Sequence, residues 1–283
     1  MSSDIAFRAI AGFRMVTSGL DRLTEFYKAI GFDIGETALI SSAEMTMLQL
    51  DGAGSRRSMA LGDSRVELDC FEQRGRPYPG GTTASDLSFQ HLALITDNAH
   101  AAWRRAQDAG AVSITRGNPV TLPQSSGGVT AIKFRDPEGH PLELLEFPRG
   151  SNSAWIGSGI MRIDHTAISV ADLATSRRFY EGLGLTGGER TLNRGPTQVA
   201  LDGLDGVEVE ILAMNPTDVP PHLELLGYRH PVGRSHQPFA ANAIAATRVF
   251  CCSTRDALLR DPDGHLLQLI RQDQSPADIL LRR

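Results

Sequence analysis

The chain of 283 residues is 41% apolar and 22% charged, with a formal net charge of −5. This length predicts one large domain or two of ordinary size, and the composition is typical of a packed globular protein. No block of like charges occurs, which argues against nucleic-acid partners and against a polybasic membrane patch. Three cysteines, two of them adjacent, do not make a disulfide framework, and no apolar run is long enough for a membrane helix. With no signal-peptide pattern at the N-terminus, these features predict a cytoplasmic protein without a membrane partner.

A strand followed by a helix is predicted several times along the chain. The first helix carries apolar side chains at helical spacing and stops at Gly31, and the phrase TEFYKAIGF within it returns later as RRFYEGLGL. Asp172 is the candidate N-cap of that later helix, which ends at Gly184. The second predicted strand is followed by an Ala-rich helix over 99–109. The fourth copy of the opening strand is weaker than the others and begins a shortened module. The predicted opening strands lie at 13–16, 90–95, 164–170 and 245–251.

A second repeat closes modules. RDPEGHPLELL at 135–145 and RDPDGHLLQLI at 260–270 share an Asp-Pro-x-Gly turn followed by a β-rich run. A strand is also predicted over 127–134, so each copy indicates a hairpin. The closing strands are predicted at 65–71, 141–147, 222–228 and 266–270, which gives module limits of about 5–75, 86–148, 158–230 and 240–273.

A histidine that opens a strand, the DLATSRRFYEGLGL helix and the closing DPxGH hairpin together resemble the vicinal oxygen chelate superfamily. That group includes glyoxalase I, type I extradiol dioxygenases and bleomycin-resistance proteins. The resemblance covers about residues 10–272 and implies an α+β fold of four βαβββ modules that form two paired curved mixed sheets. We expect an N-terminal glyoxalase-like domain at 1–150 with modules 1 and 2, and a C-terminal one at 157–283 with modules 3 and 4. Residues 148–154 are the predicted linker.

The resemblance also implies metal ligands on the first and last strand of each module. At those positions modules 2 and 3 each offer a histidine and a glutamate, and modules 1 and 4 offer no histidine. The positions are Gly12 or Phe13 with Glu67, His91 with Glu143, His165 with Glu224, and Thr247 with Gln268. Pairing module 2 with module 3, and 1 with 4, gives one complete cup. Pairing 1 with 2 and 3 with 4 leaves both incomplete.

The first pairing predicts a site of His91, Glu143, His165 and Glu224. Two imidazoles and two carboxylates suit a divalent ion such as Fe, Ni, Zn, Co or Mn. Such an ion would act as a Lewis acid on a substrate chelated through neighbouring oxygens. We expect Glu143 and Glu224 to be the catalytic residues, because a carboxylate beside the substrate can move a proton.

Other polar residues have less specific roles. Glu208 and Glu210 lie near Glu224 in the predicted sheet and are alternatives to it. Glu67 is expected to be solvated or salt-bridged. Five further histidines are not predicted as ligands. His140 and His265 are expected to have a structural role in the hairpin turns, and His222, His230 and His236, in a Pro-rich stretch, are expected to be solvated or to line the cup mouth.

Three functions fit these observations. The first is a metal-dependent lyase or isomerase of glyoxalase-like type acting on a small molecule, although no residue cluster specifies glutathione. The second is an Fe(II) extradiol dioxygenase of catechol-like substrates, although that family takes its ligands from modules 3 and 4. The third is a non-enzymatic binding or resistance protein. A monomer or homodimer is expected in each case.

Overall fold

A computed structural model describes residues 9–152, 157–217, 221–235 and 238–271. His236 and the end of the predicted linker lie outside these residues. The predicted α+β architecture is confirmed, with two mixed sheets and few helices. The division into domains at 150 and 157 stays a prediction, because each sheet takes strands from both halves of the chain.

The N-terminal half contains two modules in which a strand is followed by a helix and then by further strands. Module 1 consists of β1 (Ile10–Val16), α1 (Leu20–Ile30), β2 (Asp33–Leu39), α2 (Ser42–Met47), β3 (Gly54–Leu61) and β4 (Ser64–Phe71). Module 2 consists of β5 (Gln90–Thr96), α3 (Ala99–Asp108), β6 (Val112–Ser113), β7 (Val120–Thr121), β8 (Thr130–Arg135) and β9 (Pro141–Glu146). Helix α1 ends at Gly31 in a left-handed conformation, as its sequence predicts. Strand β8 begins at Thr130 rather than at 127, because Gly127 and Gly128 form a turn with positive φ.

The C-terminal half repeats this order, and its last module is shortened as predicted. Module 3 consists of β10 (Ile160–Ser169), α4 (Leu173–Gly182), β11 (Thr186–Arg194), α5 (Pro196–Asp202), β12 (Glu208–Asn215) and β13 (His222–His230). Module 4 consists of β14 (Arg248–Ser253), β15 (Ala257–Arg260) and β16 (Leu266–Arg271), with no helix in residues 238–271. The Asp172 carboxylate accepts the Thr175 N–H and caps α4, which confirms the predicted N-cap.

The two sheets decide how the modules pair. One sheet has the order β15-β16-β14-β1-β4-β3-β2, and the other has β11-β12-β13-β10-β5-β9-β8-β6, with β7 joined to β8. Strand β1 therefore pairs with β14, and β5 with β10, both antiparallel. The pairing of modules 2 with 3, and of 1 with 4, that was inferred from the candidate ligands is confirmed.

The hairpin turns fasten neighbouring modules of each half. His140 is buried and bonds to Asp136 Oδ2 through Nδ1 and to the Val16 carbonyl through Nε2, while Tyr27 donates to the same carboxylate. The same clamp recurs between modules 3 and 4, where His265 bonds to the Ser169 carbonyl and Tyr180 donates to Asp261. The turn role predicted for His140 and His265 is confirmed, because each holds its turn against the module before it.

The largest apolar cluster lies between the helices and the outer faces of both sheets. It includes Tyr27 and Ile30 from α1, and Trp103 from α3. The opposite, concave faces carry smaller apolar clusters and the polar side chains described below. Among the helices of the described residues, none has the length and apolarity needed to cross a lipid bilayer.

Candidate metal centre

Two histidines meet at the centre of the sheet formed by modules 2 and 3. His91 on β5 lies opposite Ala167, and His165 on β10 lies opposite Ala93. Both side chains therefore project from the same face of adjacent central strands, with ring centroids 5.7 Å apart. Their residues are 2% and 6% exposed, so the pair is almost wholly removed from water.

Glu143 completes a three-residue cluster. It lies on β9, next to β5 and paired with Ala93, and it is 5% exposed. Its Oε2 atom is 2.9 Å from His91 Nε2. One ligand atom from each of His91, Glu143 and His165 can be chosen so that all three lie within 4.8 Å of one another. The structure thus brings together three of the four residues predicted as ligands.

Three ring nitrogens of this cluster lack hydrogen-bond partners among the described residues. Neither ring nitrogen of His91 nor Nε2 of His165 forms a hydrogen bond to a described residue, although all three atoms are buried. Glu143 Oε2 is close enough to His91 Nε2 but is not aligned with its N–H direction. Two ligand atoms bound at right angles to one ion, at about 2.1 Å each, lie about 3 Å apart. The 2.9 Å spacing without hydrogen-bond geometry therefore fits a shared divalent ion.

Glu224 lies at the open side of the cluster. It is on β13 opposite Ala167, and its side chain is 20% exposed. Its Oε2 atom is 3.4 Å from His165 Nε2, and its Oε1 atom is 3.5 Å from His222 Nε2. It is not part of the cluster within 4.8 Å, so it adjoins that cluster through His165.

Neither alternative to Glu224 has its carboxylate at this cluster. Glu210 is held by ion pairs to Arg190 and Arg229 at the far side of the sheet. Glu208 lies opposite His230 at the end of β12, and its carboxylate is 3.8 Å from Arg194.

A second layer of side chains orients these groups. Asp164 Oδ2 is 2.9 Å from His165 Nδ1, which leaves Nε2 facing the cluster. Lys133 lies opposite Glu143 on β8, is buried, and donates to Asp202 Oδ1 at 2.6 Å. Gln198 and Tyr228 donate to the other oxygen of Asp202. Helix α5, which carries Asp202, is therefore fastened over the wall of the cup.

The charges favour ionised carboxylates. Burial alone would raise the pKa of Glu143, but Lys133 and His91 outweigh it and lower the pKa to about 2. Burial would also raise the pKa of Glu224, but His165 and His222 outweigh it and lower that pKa to about 2. Burial lowers the pKa of His91, which leaves a neutral imidazole with a lone pair. At His165 burial is outweighed by Glu224, Asp164 and Glu143, and the pKa rises to about 9. The carboxylates that raise the affinity of His165 for a proton would equally favour a metal cation in place of that proton.

The cup of modules 1 and 4 carries different residues at the same positions. Strand register places Gly12 where His91 lies, Glu67 where Glu143 lies and Gln268 where Glu224 lies. The prediction that Thr247 takes the place of His165 is wrong, because Arg248, opposite Arg14, occupies it. Strand β14 begins at Arg248 rather than at 245, and its register is shifted by one residue from the predicted one.

A side chain cannot replace Gly12 without displacing its neighbours. A Cβ there would lie 2.4 Å from the Arg65 carbonyl oxygen and 2.6 Å from the Phe250 ring. Glu67 is fully buried and bonded to Arg14 and Arg65, so the predicted salt bridge is confirmed and the predicted solvation is wrong. Arginine side chains thus neutralise the carboxylates of this cup. In the cup of modules 2 and 3, a metal ion would take that role.

Comparisons with known proteins agree with this architecture. Residues 9–144 match the family model described as the Glyoxalase/Bleomycin resistance protein/Dioxygenase superfamily. This match lies in modules 1 and 2, and the mixed-sheet fold of all four modules is consistent with the fold expected from it.

Solved structures share the fold at low sequence identity. A mutant of glyoxalase I from Zea mays is 16% identical with a TM-score of 0.60, covering 93% of this chain and 92% of that one. Glyoxalase I from Zea mays itself is 15% identical with a TM-score of 0.57 and the same coverage. A protein of Bacillus subtilis subsp. subtilis strain 168, described as a candidate dioxygenase, is 12% identical with a TM-score of 0.58, covering 95% and 87%. No curated protein matches the sequence.

Four polar residues around the centre were not predicted as functional: Asp164, Lys133, Asp202 and His222. The Asp-His pair at 164–165 was visible in the sequence, since carboxylates commonly orient ligand histidines. His222 was expected only at the cup mouth. Lys133 and Asp202 are 69 residues apart in sequence, and neither lies in a repeated phrase.

Proposed function

We propose that the protein is a divalent-metal-dependent lyase or isomerase of glyoxalase-like type, acting on a small oxygen-rich substrate through two vicinal oxygens. The observation that supports this most directly is the convergence of His91, Glu143 and His165 on one point. Their ligand atoms are mutually close and buried, and three of the ring nitrogens have no hydrogen-bond partner in the part of the chain that the structure describes. A buried polar atom without a partner is costly, so a cation at that point accounts for an arrangement that would otherwise be unfavourable.

His91, Glu143 and His165 would hold the ion, with Glu224 as a fourth ligand. Imidazole and carboxylate donors together suit Fe, Ni, Zn, Co or Mn. When bound, such an ion supplies Lewis-acid polarisation of the substrate oxygens.

The protein side chains supply the proton transfer. The carboxylate of Glu224 is ionised near neutral pH and lies at the more exposed side of the cluster, where a substrate would meet it. It would take a proton from a carbon next to a carbonyl and return it to the neighbouring atom. Glu143, deeper and beside Lys133, is the second carboxylate that can hold a proton. Asp164 keeps His165 in the tautomer that faces the centre.

Metal content after anaerobic purification tests the proposal. We expect close to one ion per chain in the wild type, and its loss in His91→Ala, Glu143→Gln and His165→Ala. His100→Ala is the matched control, because His100 is exposed on α3 and away from the cluster. An ion-free wild type that takes up no Fe, Ni, Zn or Mn would refute the metalloenzyme and favour a binding protein.

A second candidate is an Fe(II) extradiol dioxygenase. The three mutually close residues are two histidines and one glutamate, which is the ligand composition of facial-triad iron oxygenases. Glu224→Gln separates the two proposals. In the lyase it removes the base and abolishes turnover, whereas in the dioxygenase iron is retained and catechols still give yellow ring-opened products. A cytoplasmic location and a monomer or homodimer stay predictions from the sequence.

A further inference from the structure

A cleft outside the candidate metal centre lies where modules 1, 2 and 4 meet. Its volume is about 270 Å³, near the lower limit of roughly 300 Å³ for pockets that take small organic ligands. Its apolar wall is formed by Val16 at the end of β1, Phe71 at the end of β4, and Ile244 before β14. All three are buried residues. The cleft therefore offers an apolar surface to a compact molecule.

The wall of this cleft is fixed by hydrogen bonds between modules. Asn242 Nδ2 donates to the Gln73 carbonyl at 2.8 Å, and the Ile244 N–H donates to the Arg76 carbonyl at 2.9 Å. Gly75 lies so close to this segment that a Cβ would be 2.1 Å from the Asn242 carbonyl oxygen. The cavity is therefore formed before any ligand binds, which lowers the entropic cost of binding.

The rim of the cleft is positively charged. Arg22 and Arg74 both line it, and neither makes a salt bridge within the part of the chain that the structure describes. The acidic residue of the rim, Glu138, already accepts hydrogen bonds from the Ser18 N–H and Oγ–H. Burial raises the pKa of Tyr78 to about 12, so its hydroxyl is neutral near pH 7. Two cationic donors thus face one anion that is already bonded.

We propose that this cleft binds a small amphipathic carboxylate, with its apolar body against Val16, Phe71 and Ile244 and its carboxylate between Arg22 and Arg74. An arginine without an ion pair is free to form charge-assisted hydrogen bonds to a carboxylate. This site needs no metal ion, so the proposal does not depend on the function proposed for the cup of modules 2 and 3.

The test uses phenylacetate as the probe and its neutral analogue phenylacetamide for comparison. Both are titrated calorimetrically into the full chain carrying His91→Ala, after treatment with a chelator, so that a metal ion cannot bind the carboxylate. We expect phenylacetate to bind and phenylacetamide to bind at least about tenfold more weakly, as the loss of one charge-assisted contact implies. Adding Arg22→Gln or Arg74→Gln to this variant should weaken the binding of phenylacetate by a similar factor.

Arg104→Gln is the matched control, because Arg104 is an exposed arginine on α3 outside the cleft. It should leave phenylacetate binding unchanged, and thermal melts should show that all three variants fold. The proposal is overturned by no measurable binding of phenylacetate. It is equally overturned by equal affinity for the neutral analogue, or by affinity that neither Arg22→Gln nor Arg74→Gln changes.

Discussion

Asp69→Asn should strongly destabilise the cup of modules 1 and 4. The buried charges there balance: Arg14, Arg56 and Arg248 face Glu44, Glu67 and Asp69. Both side chains of the Arg248–Asp69 pair are fully buried. Among the described residues, the only other hydrogen-bond partner of Arg248 is the Ala241 carbonyl. Removing the Asp69 charge leaves a buried guanidinium without a counter-ion, which costs about 3–5 kcal/mol. Urea denaturation followed by circular dichroism measures this free energy of unfolding.

Arg248→Met should cost less than Asp69→Asn. In that variant Asp69 keeps two hydrogen bonds from Arg56, at 2.6 and 2.8 Å, and methionine fills part of the vacated volume. The control is Asp63→Asn, whose half-exposed carboxylate pairs with Arg162 and should contribute at most about 1 kcal/mol. If Asp69→Asn unfolds at the same urea concentration as the wild type, or if Arg248→Met is the more destabilised, the account of this cluster is wrong.

Two further predictions concern the orienting carboxylate and acid stability. Asp164→Asn should weaken metal affinity by about 10- to 100-fold while leaving the fold intact, because His165 loses the partner that orients its ring. Competition with a chromophoric chelator measures the affinity, and an unchanged affinity would contradict this prediction. Burial would raise the pKa of Glu44, but Arg56, Arg14 and Gln268 lower it from 4.5 to about 2. A lowered folded-state pKa contributes stability that is present above about pH 4.5 and is lost as the pH falls towards 2. Glu44→Gln should therefore flatten the decline of unfolding free energy over that range, and a profile as steep as that of the wild type would refute this assignment.

Much of the fold was predictable from the sequence because its signals are local and repeated. The Asp-Pro-x-Gly turns, the helix stop at Gly31 and the cap at Asp172 are fixed by a few neighbouring residues. The repeat then placed His91 and His165 at equivalent positions. Only the pairing of module 2 with module 3 brings both histidines and both glutamates into one site. The candidate ligands in the sequence therefore also indicated which modules pair.

The tertiary structure alone decided the register and the long-range partners. Whether Thr247 or Arg248 faces the second cup depends on a shift of one residue, which turns a side chain to the other face of a strand. Lys133 meets Asp202, and Arg248 meets Asp69, across separations of 69 and 179 residues, which no local pattern encodes. The sequence by itself thus determined the modules and the histidine pair. The packing of sheets and helices determined how charges are neutralised in each cup, because that depends on distances between strands far apart in the chain.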